Sequence, residues 1–94
     1  VYIDDFIWLP NIIEKLHVKH HVTQDEAEEV FFNRPEFRFV ESGYTKGEDV
    51  YSTCGQTDDG RYLIVFFILK PANMALILSA RDMDKKERKR YEQK

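Results

Sequence analysis

Residues 61–70 read RYLIVFFILK, and only PAN separates them from MALILSA at residues 74–80. The first run is apolar at odd and even positions alike, the pattern of a central strand covered on both faces. At strand length it is far short of the roughly 20 apolar residues that a membrane helix needs. Turn chemistry brackets it. TDDG at residues 57–60 ends on Asp59-Gly60, which suits a tight reversal, and PAN at residues 71–73 turns the chain on the other side. Working upstream, VYSTCG (50–55) is a strand, GYTKGED (43–49) a turn, and EFRFVE (36–41) a further strand in which Phe37 and Phe39 alternate with Arg38 and Val40. These runs predict a four-stranded antiparallel meander.

Before the meander the period is helical. WLPNIIEKLHVKHH (8–21) carries Pro10, suited to a first turn, and then Ile12, Ile13 and Leu16 at helical spacing. VTQDEAEEVFF (22–32) has start chemistry. Thr23 can cap it, Glu26 three residues on completes a capping box, and Val22 can staple against Ala27. Pro35 ends that segment. After the last strand, a helix is expected to start near Asp82, with Asp82 as its cap, and to run to the end of the chain. The predicted order is two N-terminal helices, a four-stranded antiparallel sheet and a C-terminal helix, an α+β fold in which the helices can cover one face and leave the other partly open.

The 94 residues fit one domain spanning positions 1–94. An apolar content of 43% with 14% aromatic residues suffices for a packed core and excludes a disordered chain. The single cysteine, Cys54, cannot form an internal disulfide and sits in a strand-like stretch, where it reads as a small buried hydrophobe. That usage suits a reducing cytoplasm, and no secretory leader pattern is present. The chain opens on Val1, as expected of a sequence without its initiator or a short leader. Net charge is −3 but unevenly spread: residues 1–60 hold 5 basic and 13 acidic side chains, and residues 61–94 hold 9 basic and 4 acidic. An acidic body with a cationic C-terminal third excludes a broad non-specific nucleic-acid binder and leaves room for a local anion site.

Several groups could carry chemistry. His17 and His21 stand one helical turn apart, a weak metal-ligand spacing with no cysteine pair to support it. The helix-end position equally suits histidines as surface or capping groups, and His20 could serve as an acid or base. Ser79 lacks a nucleophile elbow, and none of the four glycines builds a phosphate loop. The ending SARDMDKKERKRYEQK offers more. Arg81 falls at a strand end, where a rigid backbone aims its guanidinium, and Glu87 and Tyr91 follow one helical turn apart on one face, with Arg88 adjacent. An arginine fork suits a phosphate and a neighbouring Glu or His can move a proton, which are the parts of metal-free RNA cleavage. The competing reading is an ordinary solvated helix with Asp84–Arg88 and Arg88–Glu92 pairs.

The chain resembles the BrnT family of type II toxin–antitoxin ribonuclease toxins. The resemblance rests on FIWLPN with Phe6 and Trp8, Lys19-His20, Val22, Glu26-Ala27, Gly55, DDGRYLIVFF, and above all ILSARDMDKKERKRYE at residues 77–92. In that ending Ser79, Ala80, Arg81, Glu87, Arg88 and Tyr91 all fall in the family's pattern. The resemblance implies a compact fold similar to RelE-type toxins, metal-independent cleavage of mRNA that inhibits translation, and no cofactor. It also implies neutralisation by a BrnA-like ribbon-helix-helix antitoxin, with operator DNA touched only through the complex, and a cytoplasmic protein with no membrane role. Carried over by position, His20, Arg81, Glu87, Arg88 and Tyr91 form the expected catalytic set. Glu87 or His20 would be the base, Arg81 and Arg88 the phosphate clamp, and Tyr91 a positioner or proton donor. Trp8, Lys19 and Arg61 are expected to support RNA binding or packing. Ile12, His21 and Gln56 depart from the residues many members carry (lysine, glycine and arginine respectively). The rival expectation is accordingly a catalytically weak homologue that acts as an antitoxin-binding module in control of its own operon.

Overall fold

The long apolar run forms β4 (Tyr62–Lys70), the middle strand of a five-stranded sheet. In the computed structural model, residues 1–43 and 45–93 are described. Tyr44, in the turn expected at residues 43–49, and Lys94, at the end of the terminal segment, lie outside the described residues. β4 pairs antiparallel with β3 (Val50–Gln56) on one side and β5 (Met74–Asp82) on the other, and β2 (Glu36–Glu41) adds antiparallel to β3. The meander stands as expected, but it is not the whole sheet. A three-residue strand, β1 (Asp5–Ile7), pairs parallel with β5 and converts the expected four-stranded antiparallel sheet into a mixed one of order β1-β5-β4-β3-β2. Three residues are too few for an alternation to register, and a parallel pairing to residues 74–76 depends on distant chain rather than on local pattern.

Two helices pack on one face of the sheet. α1 (Pro10–His20) begins with Pro10 in its first turn and buries Leu16. α2 (Gln24–Val30) is capped by Thr23, whose hydroxyl accepts from the Glu26 amide while the Glu26 carboxylate accepts from the Thr23 amide, so the capping box is complete. Ala27 and Val30 from α2 meet Leu63, Val65, Phe67, Ala75, Ile77 and Ala80 from the sheet, all essentially inaccessible to solvent. Phe67 is fully buried, with the rings of Phe31, Phe37 and Tyr51 at 5.2, 6.1 and 6.0 Å. Gly55 lets α2 come this close, because a Cβ there would lie 2.8 Å from the Val30 carbonyl oxygen. Trp8 is part of this frame: its indole N–H donates to Glu28 at 2.7 Å and ties the chain ahead of α1 to α2.

The terminal helix α3 (Lys85–Glu92) is two residues later than the sequence suggested, and its cap is Asp84, not Asp82. Asp84 accepts from the Glu87 amide at 2.7 Å and the Glu87 carboxylate accepts from the Asp84 amide at 2.9 Å. Asp82 remains in β5, so Arg81 and Asp82 are strand residues facing opposite ways. The helices also do not share one face. Side chains on α3 meet the Arg81 side of the sheet, away from the face covered by α1 and α2.

A β-bulge decides which way Arg81 points. Phe66 pairs with Ser79 and Phe67 with Ile77, leaving Leu78 as an extra residue in β5. With strict alternation Ala75, Ile77, Ser79 and Arg81 would share the core face. The extra residue shifts the phase, so Ala75, Ile77 and Ala80 are buried while Arg81 emerges on the α3 side.

Candidate functional site

At the junction of β5 and α3, Arg81 and Glu87 form a two-point pair. Nη1 donates to Oε1 at 2.8 Å and Nη2 donates to Oε2 at 3.0 Å. Strand backbone sets the guanidinium and the first turn of α3 sets the carboxylate, so neither end depends on a loop. The Glu87 side chain is 14% exposed and that of Arg81 37%, which leaves the arginine's outer edge open to solvent. The Arg81 hydrogen bonds hold the Glu87 carboxyl below its usual range, assisted by the Asp84 amide and opposed by burial. The same pair raises the Arg81 pKa, so it is a permanent cation.

Tyr91 lies one helical turn beyond Glu87 on α3, with Arg88 adjacent. The Arg88 guanidinium lies 4.0 Å from the centre of the Tyr62 ring, a cation–π stack, and its Nε is 3.6 Å from Glu92. Tyr91 packs edge to face with Tyr62 at 6.1 Å, and its hydroxyl donates to the carbonyl of Arg34 at 3.0 Å. Burial pushes the Tyr91 phenol above its ordinary value. Of the expected pairs in this helix, Arg88–Glu92 is present, whereas Asp84 is engaged as the cap.

His20 is the last residue of α1, and its neighbourhood is the Asp82 side of β5. There Arg61 acts as a hub. It donates to the His21 carbonyl at 2.7 Å, to the His20 carbonyl at 2.9 Å, and to Asp82 at 2.8 and 3.2 Å, with Glu26 3.4 Å away. One guanidinium thus satisfies the open end of α1 and anchors it to β5, the place where a cation best suits the helix dipole. The Arg61 hydrogen bond also lowers the Asp82 pKa. Lys19 is exposed on α1, and Trp8 is committed to Glu28. The structure therefore brings Arg81 and Glu87 together, sets Arg88 and Tyr91 beside them on the same helix, and places His20 with Arg61 on the far side of β5.

Both shifted carboxylates make stability depend on pH in the same sense. Their pKa values are lower in the folded chain than in the unfolded one, so they stabilise the fold above the ordinary carboxylate range and lose that contribution in acid. The melting temperature is expected to hold between pH 7 and 5 and to fall below about pH 4. The double variant Asp82→Asn, Glu87→Gln should show a flatter acid limb in thermal melts.

Two shallow clefts flank Tyr62. One, of about 410 Å³, is lined by Arg34, Pro35, Gln56, Tyr62, Tyr91 and Glu92. The other, of about 430 Å³, has Gly60, Arg61, Tyr62, Asp82, Met83 and Arg88 around it. Arg34 carries no motif that would mark it in the sequence; Gln56 stood out only as a departure from the family pattern, and Tyr62 only as part of the strand run DDGRYLIVFF. Asp84 did carry one, because D-x-x-E at residues 84–87 is a capping-box pattern of the kind that located α2.

A compact α+β domain with a paired arginine and carboxylate at a strand–helix junction is equipped for anion and proton chemistry. Residues 8–87 match the family described as the ribonuclease toxin, BrnT, of type II toxin–antitoxin systems, and the chain belongs to that family. Membership makes it a ribonuclease toxin of a type II system, with RNA as substrate and an antitoxin as partner. No curated protein gives an individual match. Among the described residues, no helix is long and apolar enough to cross a membrane.

Proposed function

We propose that this toxin is a metal-independent endoribonuclease that cleaves mRNA and thereby inhibits translation. The observation that carries the reading is the Arg81–Glu87 pair, a phosphate fork and a carboxylate already held face to face. Glu87 takes the proton of a ribose 2′-hydroxyl as the 2′-oxygen bonds to phosphorus. The bond to the 5′-oxygen breaks, that oxygen receives a proton, and the products are a 2′,3′-cyclic phosphate and a 5′-hydroxyl. Arg81 and Arg88 carry the charge that builds on the phosphorane. When the phosphate takes over the Arg81 donors, Glu87 loses the bonds that lower its pKa and becomes a stronger base. Tyr91 positions the cleft side of the site, while Arg61 and Trp8 keep its frame and Lys19 adds to the field that draws RNA in.

Glu87 rather than His20 is the base in this reading, because Glu87 touches the phosphate fork and His20 sits across β5. His20 has the lesser part, as a support beside Arg61 across β5, and the leaving oxygen takes its proton from solvent. The test is induced expression in a bacterial host. Wild type is expected to arrest growth with RNA decay, Glu87→Gln to abolish the arrest, and His20→Gln to reduce it only partly. Equal loss in both variants would contradict the assignment. The partner proposed is a BrnA-like ribbon-helix-helix antitoxin, with operator DNA contacted only through the complex and the whole acting in the cytoplasm.

Two observations favour a second reading. The Arg81 and Glu87 side chains are bonded to each other, and Gln56 holds a cleft position where many members carry arginine. A weak enzyme kept for antitoxin binding and operon control would show no arrest from folded wild-type protein.

A further inference from the structure

We propose that the cleft beside Tyr62 and Tyr91 is a base-binding subsite for single-stranded RNA, in which one unstacked nucleobase lies against the aromatic pair, Gln56 meets its edge, and Arg34 and Arg88 hold the flanking phosphates. The inference rests on the nuclease reading above and extends it to Arg34, Gln56 and Tyr62, which lie outside the catalytic set. Single-stranded RNA is recognised by stacking splayed bases on aromatic rings and arginine planes, with amide side chains meeting their edges.

Each of those parts is present. The cleft's roughly 410 Å³ falls within the range of small-ligand pockets. Tyr62, Tyr91, Gln56 and Arg34 are among its lining residues. The Arg88 guanidinium lies over the Tyr62 ring at 4.0 Å and so is held beside the cleft. Gln56 has an acceptor and a donating amide, with Nε2 directed to the Gly60 carbonyl at 3.2 Å, so it can discriminate between base edges.

The position of Arg34 adds weight. Its backbone has φ 53°, a left-handed conformation that non-glycine residues seldom adopt, and the Tyr91 hydroxyl donates to its carbonyl. Tyr91 thus holds the Arg34 turn against α3 and brings that cation to the cleft. On α3, Tyr91 is one turn, about 5.4 Å, from Glu87. A base seated at Tyr91 therefore places an adjoining phosphodiester within reach of Arg81 and Glu87. Glu92, the anion among the lining residues, lies at the rim paired with Arg88 and limits the room for a second phosphate.

The experiment uses short 2′-O-methyl RNA strands, which lack the nucleophile and cannot be cleaved, carrying one 2-aminopurine whose fluorescence is quenched on stacking. Wild-type protein is expected to quench it, with Tyr62→Leu and Arg34→Ala each weakening binding about ten-fold, in line with base–aromatic stacking. Tyr62→Phe, which keeps the ring, should bind as wild type does, and Gln56→Leu should change the ranking of the four bases. Unchanged affinity in folded Tyr62→Leu would overturn the proposal. Arg34→Ala removes an exposed side chain, so it decides the matter should Tyr62→Leu not fold. Cleavage of ordinary RNA is measured separately. Binding that depends on Tyr62 without cleavage would refute the nuclease reading and leave the subsite standing, whereas cleavage with Tyr62-independent binding would refute the subsite alone.

Discussion

Arg81→Ala is expected to lower RNA cleavage by about a hundred- to a thousand-fold, the usual effect of removing a donor aimed at a developing oxyanion. Two consequences combine. The phosphorane loses its fork, and the free protein loses the partner that holds the Glu87 carboxylate in place, at 2.8 and 3.0 Å, before RNA binds. Arg81→Lys separates charge from geometry, since lysine keeps the cation but not the two parallel donors. If the fork matters, the lysine variant stays close to alanine in rate; recovery to near wild type would make Arg81 a simple point charge. Folding should survive either change, because the pair is partly solvated and α3 keeps its Asp84 cap. Thermal melts beside the kinetics check that.

Phe67→Ala should cost about 3–5 kcal/mol of stability, measured by urea denaturation. Phe67 is fully buried, and its contacts run to β2, β3 and the end of α2 through Phe37, Tyr51 and Phe31. Removing the ring opens a cavity where both layers meet. A domain of this size has only about 5–15 kcal/mol in all, so the variant should be near the edge of folding at 37 °C. Phe39 is the comparison: it is 56% exposed, and its replacement by alanine should cost well under half as much. Comparable losses at both positions would mean that the core is not centred on β4.

The strongest local patterns carried over into the structure. The two-sided apolar run became the central strand, and T-x-x-E at residues 23–26 became a capping box because both rely on neighbours in sequence. β1 was illegible since three residues hold no period and their partner is about seventy positions away. The late start of α3 follows from competition for Asp82, which Arg61 holds through two hydrogen bonds, so capping passes to Asp84. The pairing of Arg81 with Glu87 needed the bulge at Leu78, a pairing detail that the residues of β5 do not announce. The cleft beside Tyr62 was out of reach for a different reason. Arg34, Gln56, Tyr62 and Tyr91 come from a turn, two strands and a helix, and only the folded chain makes them neighbours.

The most direct measurement is the chemistry of the ends left on cleaved RNA. Purified wild-type protein, incubated in EDTA with an end-labelled single-stranded RNA, should yield fragments bearing 2′,3′-cyclic phosphates and 5′-hydroxyls, and Glu87→Gln should leave the strand whole. Intact RNA after incubation with folded wild-type protein, or products with 3′-hydroxyls that form only when a divalent ion is supplied, would contradict a metal-independent nuclease built on Arg81 and Glu87.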